Sequence, residues 1–194
     1  MKIGILALQG DFAEHSTTLE HLGVEIRQVR MPDHLESLDG LIIPGGESTT
    51  IGKLVEDYHF TDPIREFGTK RAIWGTCAGA ILLSKDARRR QPLLNLMDIT
   101  VERNAFGRQV ASFETDLDIP VLRGLNGQEQ RPYHAVFIRA PLIESVKGET
   151  QILATLPDGR IVAAQQGNLL ATVFHPELTA DDRFHRYFLT LVNQ

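Results

Sequence analysis

The 194-residue chain has one cysteine, Cys77. An intrachain disulfide is therefore impossible and a four-cysteine zinc site is excluded. A free thiol fits a reducing compartment, so a cytoplasmic location is expected. No apolar stretch is long enough to span a bilayer, and no membrane partner is expected. The apolar run Met1–Leu8 is interrupted by Gln9-Gly10-Asp11 and lacks a small-residue cleavage site, which argues against a signal peptide. There is no internal repeat and no low-complexity segment. The Gly-Lys-Ser/Thr of a phosphate-binding loop is missing. No close-spaced His, Cys and Asp show metal-ligand spacing, so neither a metal nor a cofactor is expected. An excess of positive charge is also lacking: the net charge of −5 argues against a nucleic-acid binder.

What is present fits one domain over residues 1–194 with a sizeable core. Residues 2–8 read as a buried strand. Asp11 reads as a helix N-cap with Glu14 three residues on, a capping box. Phe12, His15, Leu19 and Leu22 make a helical stripe that Gly23 ends. Val24–Val29 alternates as a strand, Asp33–Leu38 suits a short helix, and Leu41–Ile43 is a third strand before Pro44-Gly45-Gly46. Ile51, Leu54 and Val55 have helical spacing, as do Ile64 and Phe67, with Pro63 acceptable in a first turn. Ala72–Trp74 is the next strand. This strand–helix alternation predicts an α/β fold: an open, largely parallel sheet with helices on both faces.

The later chain adds a strand-rich segment, over Ile99–Leu117 and Ala135–Phe174, with hairpin turns at Asp158-Gly159 and Gly167-Asn168. Asp86–Pro92 reads as an exposed basic loop and Gly124–Pro132 as a surface loop. A last helix starts near Asp181-Asp182, with Phe184, Tyr187, Phe188, Leu191 and Val192 on one face.

Cys77 sits in Gly75-Thr76-Cys77-Ala78-Gly79, between a strand-like run and a helix-like one. A nucleophile flanked by glycines two residues away on each side is the pattern of a nucleophile elbow, a turn too sharp for neighbouring side chains. The turn aims the thiol at the positive end of the following helix, which favours the thiolate. Taken alone, a lone cysteine is better read as a small buried hydrophobe; the flanking glycines and the strand–turn–helix context favour the nucleophile.

A cysteine nucleophile needs a base, and the base needs an orienting group. Of seven histidines, His15 and His21 fall in the first helix, where packing or solvent explains them. His34, His59 and His134 fall in polar, loop-like stretches, and His185 in the last helix. His175 follows the apolar strand Leu169–Phe174 and precedes Pro176 and Glu177. In an extended segment residues i and i+2 point the same way, which lets Glu177 hold the His175 imidazole. The competing reading is a strand ending in a proline turn with surface side chains. With the elbow, the reading is a triad of Cys77, His175 and Glu177. The Ala78 N–H is one candidate oxyanion donor, and Gly45-Gly46 can bring a second, because glycine lets backbone approach a ligand closely.

The elbow together with His175-Pro176-Glu177 resembles the class I, triad-type glutamine amidotransferases. Ala7–Gly10, Leu41–Thr50, Glu102–Gln109, Phe137–Pro141 and His175–Thr179 are similar, more narrowly, to the glutaminase subunits of pyridoxal 5'-phosphate synthase. The likeness extends over nearly the whole chain and departs at Ala105, where the family pattern has serine. It implies hydrolysis of L-glutamine to glutamate and ammonia. It also implies transfer of the ammonia to a barrel-shaped synthase subunit in a hetero-oligomer, which builds pyridoxal 5'-phosphate from a pentose phosphate and a triose phosphate. By motif it makes Cys77 the nucleophile, His175 the general base and acid, and Glu177 the orienting group. Gly46, Glu47, Ser48, Arg103, Ile138 and Arg139 match glutamine-contacting positions. Competing readings are a glutaminase serving another synthase, which the Arg103–Gln109 block disfavours, and a redox-sensing or non-catalytic interaction protein.

Overall fold

The computed structural model describes residues 1–103, 112–127 and 131–194. The chain begins with β1 (Lys2–Leu6), α1 (Phe12–His21) and β2 (Glu25–Val29). A 3-10 turn over Pro32–Leu35 takes the place of the short helix expected from Asp33. Then come β3 (Gly40–Ile43), α2 (Ser48–Asp57), α3 (Thr61–Gly68), β4 (Ala72–Thr76) and α4 (Ala78–Leu83). Strands β5 (Ser84–Asp86), β6 (Met97–Glu102), β7 (Ser112–Leu117), β8 (Tyr133–Ile138) and β9 (Leu142–Val146) follow. The chain ends with β10 (Gln151–Thr155), β11 (Ile161–Gln166), β12 (Leu169–Thr172) and α5 (Arg183–Val192).

One sheet runs β2-β1-β3-β4-β12-β11-β9-β6-β5, with β10 beside β11, and β7 pairs with β8 separately. From β2 to β12 every neighbour is parallel. Antiparallel pairing begins where β11 joins β12, so the strand-rich segment extends the parallel half. Every residue of β3, β4 and β12 is buried, as a parallel sheet covered on both faces requires. The core gathers on Trp74, which stacks on Phe184 and packs near Phe188 of α5.

The chain leaves β1 toward β2 and then crosses back past β1 to β3. That reversal puts a crevice beyond the carboxyl ends of β1 and β3, where such sheets bind ligands. The two loops there touch. The Asp11 N–H donates to Gly45 O at 3.1 Å. A Cβ on Gly10, whose φ is +107°, would fall 1.8 Å from that same oxygen.

Several local expectations are corrected. Asp11 makes no side-chain cap to α1; its carboxylate turns toward His175 instead. His134 lies in β8 rather than a loop and is held between Asp116 and Glu114 of β7. The 86–92 segment is anchored, not merely solvated: Ala87 is buried, and Arg88 makes a two-pronged bond to Glu144. Within Gly124–Pro132, Leu125–Gly127 forms a 3-10 turn. Residues 128–130 of that loop, and Asn104–Gln109 of the Glu102–Gln109 motif with Ala105 among them, lie outside the described residues.

Candidate active site

Cys77 follows the last residue of β4 and precedes α4. Its φ of +47° and ψ of −102° place a non-glycine residue in a sparsely populated region. Such backbone strain persists only where the surroundings enforce it. Here the flanking glycines make it possible. A Cβ on Gly75 would lie 2.5 Å from the Gly79 carbonyl, and one on Gly79 would lie 2.0 Å from Ile43 O of β3. The elbow expected from the sequence is thus the observed geometry, and both glycines are required by backbone contact.

His175 is carried by the segment leaving β12. Its N–H is tied to Val136 O of β8 at 2.8 Å. His175 Nδ1 donates to Glu177 Oε1 at 2.7 Å, and the imidazole lines the same cleft as the Cys77 thiol. With Nδ1 engaged, Nε2 is the nitrogen left for the thiol. The contact arises differently from the i, i+2 argument, because Pro176–Leu178 forms a 3-10 turn and folds Glu177 back under His175. Burial opposes charge on His175, but its hydrogen bonds to Cys77 and Glu177 outweigh that and hold its pKa up at about 10. Burial pushes the Glu177 carboxyl up, against the pull of His175. An imidazole with an acceptor on each ring nitrogen keeps its proton, which suits it to a thiolate partner.

A cleft of about 470 Å³ opens on the thiol. Of the residues singled out from the sequence, Cys77, His175, Ala78, Gly46, Glu47, Ser48, Arg103, Ile138 and Arg139 all line it. Glu177 lies behind His175, buried. Gly45 packs against the other side of the ring: a Cβ there would be 2.8 Å from His175 Cε1.

Glu47 caps α2, accepting from the Thr49 and Thr50 N–H groups at 3.2 and 2.7 Å. Its carboxyl is held down at about 2, first by the Thr49 hydroxyl and, against partial burial, by the Thr50 hydroxyl and both N–H groups. It also accepts from Arg103 at 3.1 Å, so Arg103 reaches the cleft already paired. Ser48 is buried, and its hydroxyl lies 3.5 Å from Gln91 Oε1. Arg139 is exposed at the rim with a φ of +45°, a second strained non-glycine residue beside the thiol.

Four polar residues escaped the sequence reading of the site. Gln9 lines the cleft and accepts the Glu47 N–H at 2.9 Å. Asp11 Oδ2 lies 3.6 Å from His175 Nδ1. His15 and His185 are fully buried behind Glu177, and their rings meet at 3.0 Å. Their helical spacing looks like ordinary packing, and only the approach of α1 and α5 to the 176–178 turn reveals them. Among the described residues, Asp11, His175 and Glu177 bring potential metal-ligand atoms within 4.8 Å of one another. That grouping arises by folding and leaves no spacing signature. Two of its three members are already bonded to each other.

The profile of the SNO glutamine amidotransferase family matches residues 5–194. The chain is 58% identical to "Pyridoxal 5'-phosphate synthase subunit PdxT" of Herpetosiphon aurantiacus, over 98% of the chain and 100% of that protein. It is 54% identical to the same-named subunit of Carboxydothermus hydrogenoformans, over 99% and 98%. A crystal structure described as a glutamine amidotransferase superposes with a TM-score of 0.91 at 48% identity, covering 99% of each chain. PurLQS from Thermotoga maritima shares the fold at a TM-score of 0.74 and 14% identity, over 97% of each chain.

Proposed function

The chain belongs to the SNO glutamine amidotransferase family, and from that membership we infer that it is the glutaminase subunit of pyridoxal 5'-phosphate synthase. It hydrolyses L-glutamine to L-glutamate and ammonia and delivers the ammonia to a synthase subunit. The observation that carries this reading is the single thiol on a strained elbow, sharing its cleft with an imidazole that a buried carboxylate holds.

The chemistry follows from that arrangement. The Cys77 thiolate attacks the side-chain amide carbon of glutamine, forming a carbon–sulfur bond as the carbonyl electrons move onto oxygen. The N–H groups of Ala78 and Gly46, with Gly45 placing the second, receive that oxyanion. His175 gives its proton to the amide nitrogen, the carbon–nitrogen bond breaks, and ammonia leaves a glutamyl thioester. His175 then takes a proton from water as the water attacks the thioester. Loss of the thiolate returns glutamate and the starting imidazolium. Glu177 stays ionised and holds the ring in the orientation both steps need.

Glutamine also carries a carboxylate and an ammonium, which call for a cationic donor and for acceptors. Arg139 at the rim supplies a cation, while Glu47, with its partner Arg103, supplies an acceptor. Gly46, Ser48 and Ile138 shape the remaining wall. The partner is a barrel-shaped synthase subunit in a hetero-oligomer, which combines the ammonia with a pentose phosphate and a triose phosphate. A cytoplasmic location agrees with a free catalytic thiol, and among the described residues no helix is long and apolar enough to cross a membrane.

The test is ammonia release from L-glutamine by the purified chain with its synthase subunit. Stoichiometric glutamate and ammonia, with pyridoxal 5'-phosphate formed from the two sugar phosphates, are expected. Formation of the product only from free ammonium salts, and never from glutamine, would overturn the reading.

A further inference from the structure

Glu177 has two carboxylate oxygens, and the triad uses one. Oε1 accepts from His175, whereas Oε2 is buried and, among the described residues, accepts no well-aligned hydrogen bond. The polar group facing it is His15 Nε2, at 3.4 Å, with both side chains fully buried. The same nitrogen lies 3.3 Å from Thr76 Oγ1 on β4, one residue before the nucleophile. On the far side of the ring, His15 Nδ1 and His185 Nε2 are 3.0 Å apart. His185 Nδ1 is buried without a partner.

These contacts fix where the protons sit. Burial holds both histidines neutral: it drives His15 well below the usual histidine range and His185 down to about 3. A neutral imidazole has one N–H and one bare nitrogen. In one arrangement His185 Nε2–H donates to His15 Nδ1, and His15 Nε2–H points at Thr76 and Glu177. The bare His185 Nδ1 is then the atom without a partner. In the reverse arrangement a His15 lone pair faces the buried carboxylate, and His185 carries an N–H with nothing to receive it. A buried unsatisfied donor and a lone pair against an anion both cost free energy. The first arrangement wins on both counts.

We propose that His15 is a positioning residue for the reaction, whose Nε2–H, backed by His185, holds the Glu177 carboxylate ionised and aligned beneath His175. The proposal rests on the glutaminase reading for its catalytic consequence. Its physical content stands on geometry: the N–H dipole opposes the tendency of burial to protonate Glu177, and an ionised Glu177 sustains the imidazolium of His175. The titratable groups facing this pair are His175 on the same segment, Asp11 before α1, Tyr133 of β8 and His185 of α5. Asp182 in turn faces His185.

The test compares His15→Asn with His15→Gln in the full chain bound to its synthase subunit. The asparagine amide nitrogen takes the place of ring Nδ1 and cannot reach Glu177; the glutamine amide nitrogen takes the place of Nε2 and can. Cys77 is the only thiol of this chain, so alkylation of the chain, followed by its mass, reports the thiolate–imidazolium pair against pH without any need for glutamine. For His15→Asn the alkylation profile should move up by about one pH unit. Its kcat should fall roughly tenfold, the same one-unit change read as a rate, with KM little changed. His15→Gln should restore most of both. Equal alkylation profiles and equal kcat in the two variants would overturn the proposal, as would a wild-type profile in His15→Asn. A wild-type chain that fails to hydrolyse glutamine would sink the glutaminase reading alone, because the alkylation comparison still decides on His15.

Discussion

His175 Nδ1 and Glu177 Oε1 lie 2.7 Å apart with a single proline between them in sequence. The 3-10 turn at Pro176–Leu178 makes that approach and buries the carboxylate. In the proposed mechanism the two residues have separate tasks, proton transfer and orientation, so their removal should differ in cost. His175→Ala should lower kcat roughly 100- to 10,000-fold, the range of general acid–base catalysis. Glu177→Gln should lose less, because an amide still makes one hydrogen bond to the ring, although it can select the wrong tautomer. Steady-state ammonia release from both folded variants gives the ranking, and an equal or greater loss in Glu177→Gln would reverse it.

The buried histidines give stability a definite pH dependence. His15 and His185 have depressed folded-state pKa values, caused first by burial. The unfolded chain therefore binds more protons than the folded one below about pH 6.5. Their contribution is fully present above that pH. It falls as the pH drops toward the folded value of about 3 for His185, by about 1.4 kcal/mol per pH unit for each group. His175 has the opposite sign: its raised pKa contributes below about 6.5 and is lost as pH climbs toward 10. Denaturant melts across pH should show stability falling below pH 6.5, with a shallower fall in His185→Phe. An unchanged slope in that variant would remove His185 from the account.

Much of this was legible in the sequence, and the parts that were not share a cause. The parallel strands β3 and β4 read correctly because they are short, apolar and buried on both faces, whereas β12, read as part of the added strand-rich segment, joins the parallel half beside β4. The elbow read correctly because Gly75 and Gly79 answer to a local backbone constraint. His175 and Glu177 were paired correctly but for the wrong local reason, an extended segment where a 3-10 turn stands. Asp11 looked like a helix cap because the Asp-to-Glu spacing fits one; the tertiary approach of the β3 loop turned it toward His175. His15 and His185 are 170 residues apart and meet only through packing. No periodicity distinguishes such a pair from core filling.

The glycines of the elbow should be intolerant for a backbone reason. A Cβ on Gly79 would sit 2.0 Å from Ile43 O, and strand β3 cannot give way cheaply. Gly23 also has a left-handed φ of +72°, but open space surrounds it. Gly79→Ala should cost about 3 kcal/mol or more, the upper range for overpacking. Gly23→Ala should cost about 1–2 kcal/mol, the left-handed penalty alone. Denaturant unfolding of the two variants measures the difference, and equal losses would mean that the close contact at Gly79 relaxes.

Activity should depend on the partner. The carbonyl of Gly45 accepts the Asp11 N–H, so the peptide that places the Gly46 donor is tied to the loop after β1. A glycine pair can reorient that peptide at low steric cost. A synthase subunit touching Gln9-Gly10 can bias it toward the orientation that presents an N–H to the oxyanion. One such donor is worth roughly 100- to 1,000-fold in rate, and that is the activation expected on adding saturating synthase. Equal ammonia release with and without the subunit would mean a preformed oxyanion hole and no switch.

The proposed mechanism depends above all on a glutamyl thioester at Cys77, and one assay addresses it. Ammonia release from L-glutamine is measured for Cys77→Ala bound to a saturating synthase subunit, beside wild type. With no second thiol in the chain, the folded variant should lose activity by roughly a thousand-fold or more while still binding its partner. Hydrolysis by that folded, partner-bound variant at a sizeable fraction of the wild-type rate would show that Cys77 is not the nucleophile.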